Sequence, residues 1–257
     1  MVFDSNSSRG VGSYLPELAL ALLEFPYTLV SGADETAFRN KLTSGRWNIV
    51  IFECNNCSMT PETRDALTSY INQGGRAIVY SWTMEFSPAD PLWAALGADF
   101  VASITSDGPP LVHPIYHWDK AHPVFTNPED VPDPFEMYEA NVGIGAQQVE
   151  PLPGFKALAG YTASPAADQA ALIEGNDGRT LFTTSRCVQC HGDDSIAAVP
   201  GPAADDVARL ICRYVRQPGL GGEPDHVDVG AVRQDNRVSL EHPLQREQVV
   251  TQPRGPL

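Results

Sequence analysis

Four of the five cysteines form two pairs with identical spacing. These are Cys54 with Cys57 and Cys187 with Cys190, and two residues separate the members of each pair. Each pair directly follows a segment that we predict to be a buried β-strand, so both pairs should lie at the same edge of a sheet. Two Cys-x-x-Cys pairs are the usual ligand set of a tetrahedral, structural zinc site. We therefore predict one cluster of four cysteines, closed either by a metal ion or by disulfides.

His191 follows the second pair and completes Cys-x-x-Cys-His, the attachment motif of c-type haem. In that arrangement two thioether bonds hold the haem and the histidine binds its iron. A cytochrome needs helices of its own after this motif, yet only one convincing helix follows, and the last methionine of the chain is Met137. Zinc, haem, disulfides and free thiols at Cys187 and Cys190 therefore stay open as alternatives. Cys212 is expected to be a small core residue of the last helix.

Three histidines are grouped in another part of the chain. His113 and His117 would share one face of a strand, and His122 follows nearby. Histidines in such a group can bind a metal ion. However, His-Pro pairs are frequent in turns, and no carboxylate is spaced to complete the ligand set. We therefore expect structural roles for these histidines.

The aromatic and acidic residues offer weaker signals. Trp82, Trp93 and Trp118 could line a sugar-binding cleft by stacking, but aromatic residues in this number are normally core residues, and that is our expectation. The acidic residues are dispersed along the chain, and no pair is spaced convincingly for acid–base catalysis. We expect them to form a solvated surface.

The charge of the chain excludes two classes of partner. The 257 residues include 32 acidic and 17 basic ones, which gives a net charge of -15 at pH 7. Such a field repels phosphate backbones and anionic lipid, so we expect neither nucleic-acid binding nor membrane insertion. No apolar run reaches the roughly 18–20 residues of a membrane span. We expect a soluble protein, either cytoplasmic or exported with a signal that this chain does not carry.

The order of predicted elements indicates an α/β fold. The predicted strands are residues 2–4, 27–30, 47–52, 77–80, 170–174 and 180–184, and the predicted helices are 15–22, 35–42, 61–73 and 203–216. We predict a flavodoxin-like, doubly wound, mostly parallel sheet with helices on both faces. The strand 77–80 should be central, and the proline-rich stretch 100–161 should form an irregular antiparallel insertion. Residues 1–216 should form one domain, followed by an extended or disordered tail of residues 217–257.

Several short segments, in this order, resemble the class I glutamine amidotransferase-like superfamily, most closely its trehalose-utilisation (ThuA-like) branch. The matching segments are residues 47–52, 60–62, 67–75, 76–82, 122–125 and 178–184. The resemblance covers about residues 1–216. It implies a ligand cleft at the carboxyl ends of the strands, formed by the loops after Asp4, Glu53, Tyr80 and Arg186. The ligand that it implies is a carbohydrate or polyol.

The same resemblance argues against amidotransferase chemistry. Catalytic members carry a Gly-x-Cys-x-Gly elbow after the strand that here ends at Tyr80, whereas this chain continues with Ser81, Trp82 and Thr83. Ser81 with His191 as its base is a candidate hydrolase pair, but the bulky neighbours of Ser81 disfavour the sharp elbow turn. We expect a non-catalytic binding or interaction domain. The alternatives are a hydrolase, a thiol redox protein and an electron-transfer protein with c-type haem.

Overall fold

The strands that the structure describes form one mixed sheet. The computed structural model describes residues 1–4, 20, 25–31, 34–54, 59–104, 111–126, 131–139 and 146–184. The strands among them are β1 (Val2–Asp4), β2 (Leu29–Ser31), β3 (Val50–Glu53), β4 (Ala77–Tyr80), β5 (Ala98–Ile104), β6 (Leu111–His117), β7 (Phe135–Glu139), β8 (Ala146–Pro151), β9 (Lys156–Gly160), β10 (Ala170–Gly175) and β11 (Thr180–Thr183). The helices are α1 (Glu35–Ser44), α2 (Pro61–Asn72), α3 (Pro91–Ala95) and α4 (Pro123–Thr126), and a 3-10 helix spans Trp82–Phe86. Neighbouring strands follow the order β2-β1-β3-β4-β11-β10-β9-β6-β7, while β8 pairs with β10 and β5 pairs with β8.

β4 is the centre of the parallel half of this sheet. It pairs in parallel with β3 on one side and with β11 on the other, so Val50, Ala77 and Thr180 lie in one row. Every residue of β4 is buried, as expected for a strand that is covered on both faces. β1 and β2 extend the parallel pairing beyond β3. The predicted position of the strand 77–80 is confirmed, and β11 is a strand where the haem alternative would favour a helix.

The two faces of the sheet are covered by different helices. Phe38 of α1 and Leu67 of α2 pack in one cluster with Phe52 of β3. Phe125 of α4 and the helical residue Leu20 pack in a second cluster, on the opposite face. Successive residues of a strand point to opposite faces, which separates the two clusters. The doubly wound arrangement with helices on both faces is therefore confirmed.

The ends of α1 and α2 follow the expected capping signals, with one exception. The Asp34 side chain accepts a hydrogen bond from the backbone N–H of Ala37 at 2.9 Å, and α1 ends at Gly45. Thr60 stands at the N-cap of α2, but its side chain does not cap that helix. The Thr60 hydroxyl instead donates to the Glu35 carboxylate at 2.6 Å. The threonine predicted as a cap therefore joins α2 to α1.

The antiparallel half is larger and more regular than the predicted insertion. β5 to β10 are all joined to their neighbours by antiparallel pairing. Pro114 lies inside β6, although proline cannot donate a hydrogen bond to a ladder. Pro114 is the register partner of Glu136 in β7, but β9 pairs only with Tyr116 and His117 of β6, so the other side of Pro114 lies beyond the ladder with β9. The prolines of this stretch led us to predict irregular loops. The sequence alone does not show that Pro114 lies where β6 has no partner in β9.

The hairpin between β10 and β11 turns as predicted. Asn176 and Asp177 have φ values of 54° and 56°, and Gly178 has a φ of 74°. These three consecutive residues with positive φ reverse the chain in a four-residue loop between the register partners Gly175 and Thr180, and Asn, Asp and Gly are the residues that tolerate such φ values. The turn places β11 beside β10 and β4 at once.

Some predictions fall on residues outside the described ranges. These are the helix 15–22, apart from Leu20, the last helix 203–216 and the tail 217–257. The described residues all belong to one compact unit, Met1–Gly221. None of the helices within the described ranges is long and apolar enough to cross a membrane.

Candidate functional site

The five parallel strands described above all end in a polar residue, and these residues lie in one row across the sheet. Their last row consists of Ser31, Asp4, Glu53, Tyr80 and Thr183, in the order of the strands across the sheet. The row before it consists of Val30, Phe3, Phe52, Val79 and Phe182. The change from apolar to polar residues marks the carboxyl edge, where α/β sheets bind ligands. We call the last row the polar row.

Glu53 corrects one expectation from the sequence. We expected the acidic residues to form a solvated surface, but Glu53 is only 1% exposed. It is the register partner of Asp4 on one side and of the buried Tyr80 on the other. Adjacent strands lie about 4.8 Å apart, so the backbones of two acidic residues are neighbours here. A polar residue that ends an otherwise apolar strand segment was the sequence signal for this row.

Ser81 does not have the geometry of a nucleophile elbow. It has φ -159° and ψ 113°, an ordinary extended conformation that continues β4. A nucleophile elbow instead places its nucleophile on a sharp, strained turn with the reactive atom exposed. Ser81 is 0% exposed, and its Oγ lies 2.9 Å from Oγ1 of Thr83. The structure thus gives Ser81 an internal hydrogen-bonding partner.

The direction of the hydrogen bonds around Ser81 follows from Cys54. The Cys54 sulfur is half of a disulfide and carries no proton. It lies 3.7 Å from Oγ1 of Thr83, so the Thr83 hydroxyl donates to the sulfur. Since Thr83 has a single hydroxyl proton, Ser81 must be the donor in the bond between the two hydroxyls. The protons therefore run from Ser81 to Thr83 and from Thr83 to Cys54.

Residues of the antiparallel half also form hydrogen bonds beside Ser81. The Gln147 side-chain amide donates to the carbonyl of Ser81 at 3.3 Å, and its backbone N–H donates to the carbonyl of Thr184 at 3.1 Å. The hydroxyls of Tyr161 and Thr184 are 2.8 Å apart. Burial raises the pKa of Tyr161 well above its usual range, although the bond to Thr184 acts in the opposite direction. The phenol is therefore protonated at neutral pH. We call these residues the rim cluster: Cys54, Ser81, Thr83, Gln147, Tyr161 and Thr184.

Most cysteines of the predicted metal site lie outside the described residues. This applies to Cys57, Cys187 and Cys190, and also to Cys212. Within the described ranges, no group of three or more His, Cys, Asp or Glu side chains could hold a metal ion. The cluster of four cysteines stays a prediction, and in this structure Cys54 takes part in a disulfide rather than in thiolate ligation. His191, the predicted base and haem ligand, also lies outside the described residues.

Two of the grouped histidines occupy structural positions. His117 is buried and stacks on Phe125 with a ring-centroid distance of 3.9 Å. His122 accepts a hydrogen bond from the N–H of Val124 through Nδ1 at 3.2 Å, and its Nε2 lies 3.4 Å from the Glu174 carboxylate. For His113, only the backbone is described.

Trp93 and Trp118, the two predicted tryptophans whose side chains are described, lie in different environments. Trp93 is a buried core residue that packs edge-on against Phe182, as expected. Trp118 instead lines a surface depression in the antiparallel half. The side chain of Trp82 is outside the described part of the structure.

The fold is similar to that of ThuA-like proteins. A ThuA-like protein from Bacteroides uniformis superposes with a TM-score of 0.51 and 14% identity, over 83% of this chain and 88% of that chain. A ThuA-like protein from Parabacteroides merdae gives a TM-score of 0.48 at 14% identity, over 83% and 86%. The acivicin-bound glutaminase domain of Trypanosoma brucei CTPS gives 0.43 at 8% identity, over 84% and 94%. No family model matches the chain, and no curated protein matches its sequence. The predicted resemblance is confirmed at the level of the fold.

The bond between Ser81 and Thr83 can be tested by removing its acceptor. Thr83→Val leaves the buried Ser81 hydroxyl without an acceptor, so we expect a loss of about 1–3 kcal/mol in the free energy of unfolding. Thr83→Ser keeps the hydroxyl and should lose less than about 1 kcal/mol. Urea denaturation measures both variants. Equal losses in the two variants would show that the hydroxyl contributes nothing.

The disulfide at Cys54 predicts a reductant-sensitive stability. Cys54→Ser should lower the free energy of unfolding by about 2–5 kcal/mol, because it removes a cross-link. Cys212→Ser is the control and should cost less, because we expect Cys212 to be a lone core residue. Dithiothreitol should lower the melting temperature of the wild type but leave that of Cys54→Ser nearly unchanged. Equal shifts in both proteins would exclude a stabilising cross-link at Cys54.

Proposed function

We propose that the protein is a non-catalytic binding domain with a ThuA-like fold and that it binds a carbohydrate or polyol at the carboxyl edge of its parallel strands. One observation carries this proposal: Ser81, at the position of the nucleophile in catalytic members of the superfamily, is buried and donates its proton to Thr83. The strand end that would perform the chemistry is closed by its own hydrogen bonds.

The hydrogen bonds of Ser81 do not support nucleophilic catalysis. A serine nucleophile needs a neighbouring base that can take its proton. The partner of Ser81 is the hydroxyl of Thr83, which is not basic and which itself donates to the sulfur of Cys54. Attack on a substrate would also require exposure of Oγ, and Ser81 has none. Ser81 is best explained as a structural residue.

The polar row supports ligand binding at the same edge. Glu53 and Tyr80 are buried, so they would form the base of a cleft, and the loops after Asp4, Glu53, Tyr80 and Arg186 would meet the ligand directly. The net charge of -15 favours a neutral ligand over an anionic one. A carbohydrate or polyol satisfies this condition, and it is the ligand class that the resemblance to the ThuA-like branch implies.

The absence of catalysis can be tested with Ser81→Ala. We expect wild-type protein and variant to give the same rates with glutamine and with p-nitrophenyl acetate, because no reaction depends on this hydroxyl. The variant should unfold at a lower urea concentration, since it loses a buried hydrogen bond worth about 1 kcal/mol. A reproducible turnover that disappears in Ser81→Ala would contradict the proposal.

Binding at the carboxyl edge can be tested with a pair of matched Tyr→Phe variants. Tyr80→Phe removes a hydroxyl at the base of the cleft, whereas Tyr70→Phe removes one at the amino edge, where Tyr70 bonds to the carbonyls of Trp47 and Arg76. We expect Tyr80→Phe to weaken the binding of methyl α-D-glucopyranoside or myo-inositol about threefold to tenfold.

Saturation-transfer NMR measures the binding of both compounds, and Tyr70→Phe should bind as the wild type does. If neither compound binds to the wild type, or if the two variants behave alike, the carboxyl edge is not the site of a carbohydrate or polyol.

A further inference from the structure

The antiparallel half carries a second concave site. A depression of about 550 Å³ is lined by Trp118, Asp119, Glu150, Pro151, Lys156 and residues 157 and 165–167. This volume lies within the roughly 300–1,000 Å³ of ordinary small-ligand sites. The lining comes from the ends of β6 and β8, the start of β9 and the segment between β9 and β10. None of these residues belongs to the rim cluster.

Trp118 is held in a fixed position at this depression. Its indole Nε1 donates to the carbonyl of Thr162 at 2.8 Å, and its backbone N–H donates to the carbonyl of Leu158 at 2.9 Å. The six-membered ring occupies the space beside Gly160, where a Cβ atom would lie 2.0 Å from Cζ2 of the ring. A ligand that stacks on this ring does not have to order it first, which favours affinity.

The charges of the lining leave one carboxylate available. The Lys156 ammonium pairs with the Asp119 carboxylate. Glu150 is exposed, and no cation among the described residues pairs with it. The lining therefore has a net charge of about -1, and its remaining walls are proline and alanine. An aromatic ring, a free carboxylate and apolar walls are the groups that recognise an alkylated ammonium ion.

We propose that this depression binds a small organic cation of the quaternary-ammonium class. The positive nitrogen lies over the ring of Trp118, Glu150 supplies the opposite charge, and the alkyl groups contact the proline and alanine walls. Anions are disfavoured by the charge of the lining. The Trp118 indole N–H already donates to Thr162, so it is not available to a polyhydroxylated ligand.

Choline is the probe, and its uncharged isostere 3,3-dimethylbutan-1-ol is the matched control ligand. NMR titration of the full chain should show that choline binds at least about tenfold more tightly than the isostere, because only choline has the charge that Trp118 and Glu150 recognise. Added NaCl should weaken choline binding, since Glu150 is exposed to solvent.

Variants then locate the site. Trp118→Ala should weaken choline binding about tenfold or more, Trp118→Phe less, and Glu150→Gln about threefold to tenfold. Phe86→Ala and Glu62→Gln, an exposed aromatic and an exposed acid elsewhere, should leave choline binding unchanged. If Trp118→Ala fails to fold, Trp118→Phe still tests the ring, because it keeps an aromatic side chain beside Gly160.

Three results would overturn this proposal: no binding of choline at tens of millimolar, equal binding of choline and its isostere, or choline binding that does not change in Trp118→Phe and Glu150→Gln. Binding of methyl α-D-glucopyranoside that is lost in the Trp118 variants would instead identify a sugar site here. Tyr80→Phe should not affect choline binding, so a failure at the carboxyl edge and a failure at this depression are separate results.

Discussion

The backbone ladder that holds β4 between β3 and β11 is the constraint on which the carboxyl edge depends. It puts Glu53, Tyr80 and Thr183 in one row, and the next residues of the chain, Cys54, Ser81 and Thr184, all belong to the rim cluster. A shift of one residue along this ladder would move each side chain to the opposite face of the sheet. The buried polar groups would then lose their partners. The loss of these partners is the cost that opposes such a shift.

The disulfide at Cys54 determines the chemical character of this edge. A thiolate at the end of β3 could accept a proton or a metal ion, whereas a disulfide sulfur has only a weak capacity to accept a hydrogen bond. The hydroxyl of Thr83 uses that capacity, and the hydroxyl of Ser81 then has Thr83 as its acceptor. The hydroxyl protons of Thr83 and Ser81 are therefore both donated to acceptors inside the protein. The hydroxyl of Ser81 therefore has a hydroxyl and not a base as its acceptor, which agrees with the binding role that we propose.

The parallel half and the hairpin could be predicted from sequence because their signals are local. Continuous apolar segments indicate strands that are covered on both faces, and residues 175–178 carry a turn that fits the twist of a hairpin. The antiparallel pairing within the segment from β5 to β9 was not predictable from sequence. It depends on which residues of β6 meet β9, and Pro114 made β6 look like a loop. The burial of Glu53 and the bond from Thr60 to Glu35 depend on contacts between distant residues. Such contacts leave no pattern in a single segment.

β8 contributes residues to both of the proposed sites. Gln147 binds Ser81 and Thr184 at the carboxyl edge, while Glu150 lines the depression three residues later. Three residues of a strand span about 10 Å, and residues an odd number apart point to opposite faces. Gln147 is fully buried whereas Glu150 is exposed. Substitutions at the two sites share no contact that we describe, so their effects on stability should be additive. Within the described residues, coupling between the ligands has two routes: the backbone of β8, and residues 160–162, where Trp118 contacts Gly160 and Thr162 on either side of Tyr161.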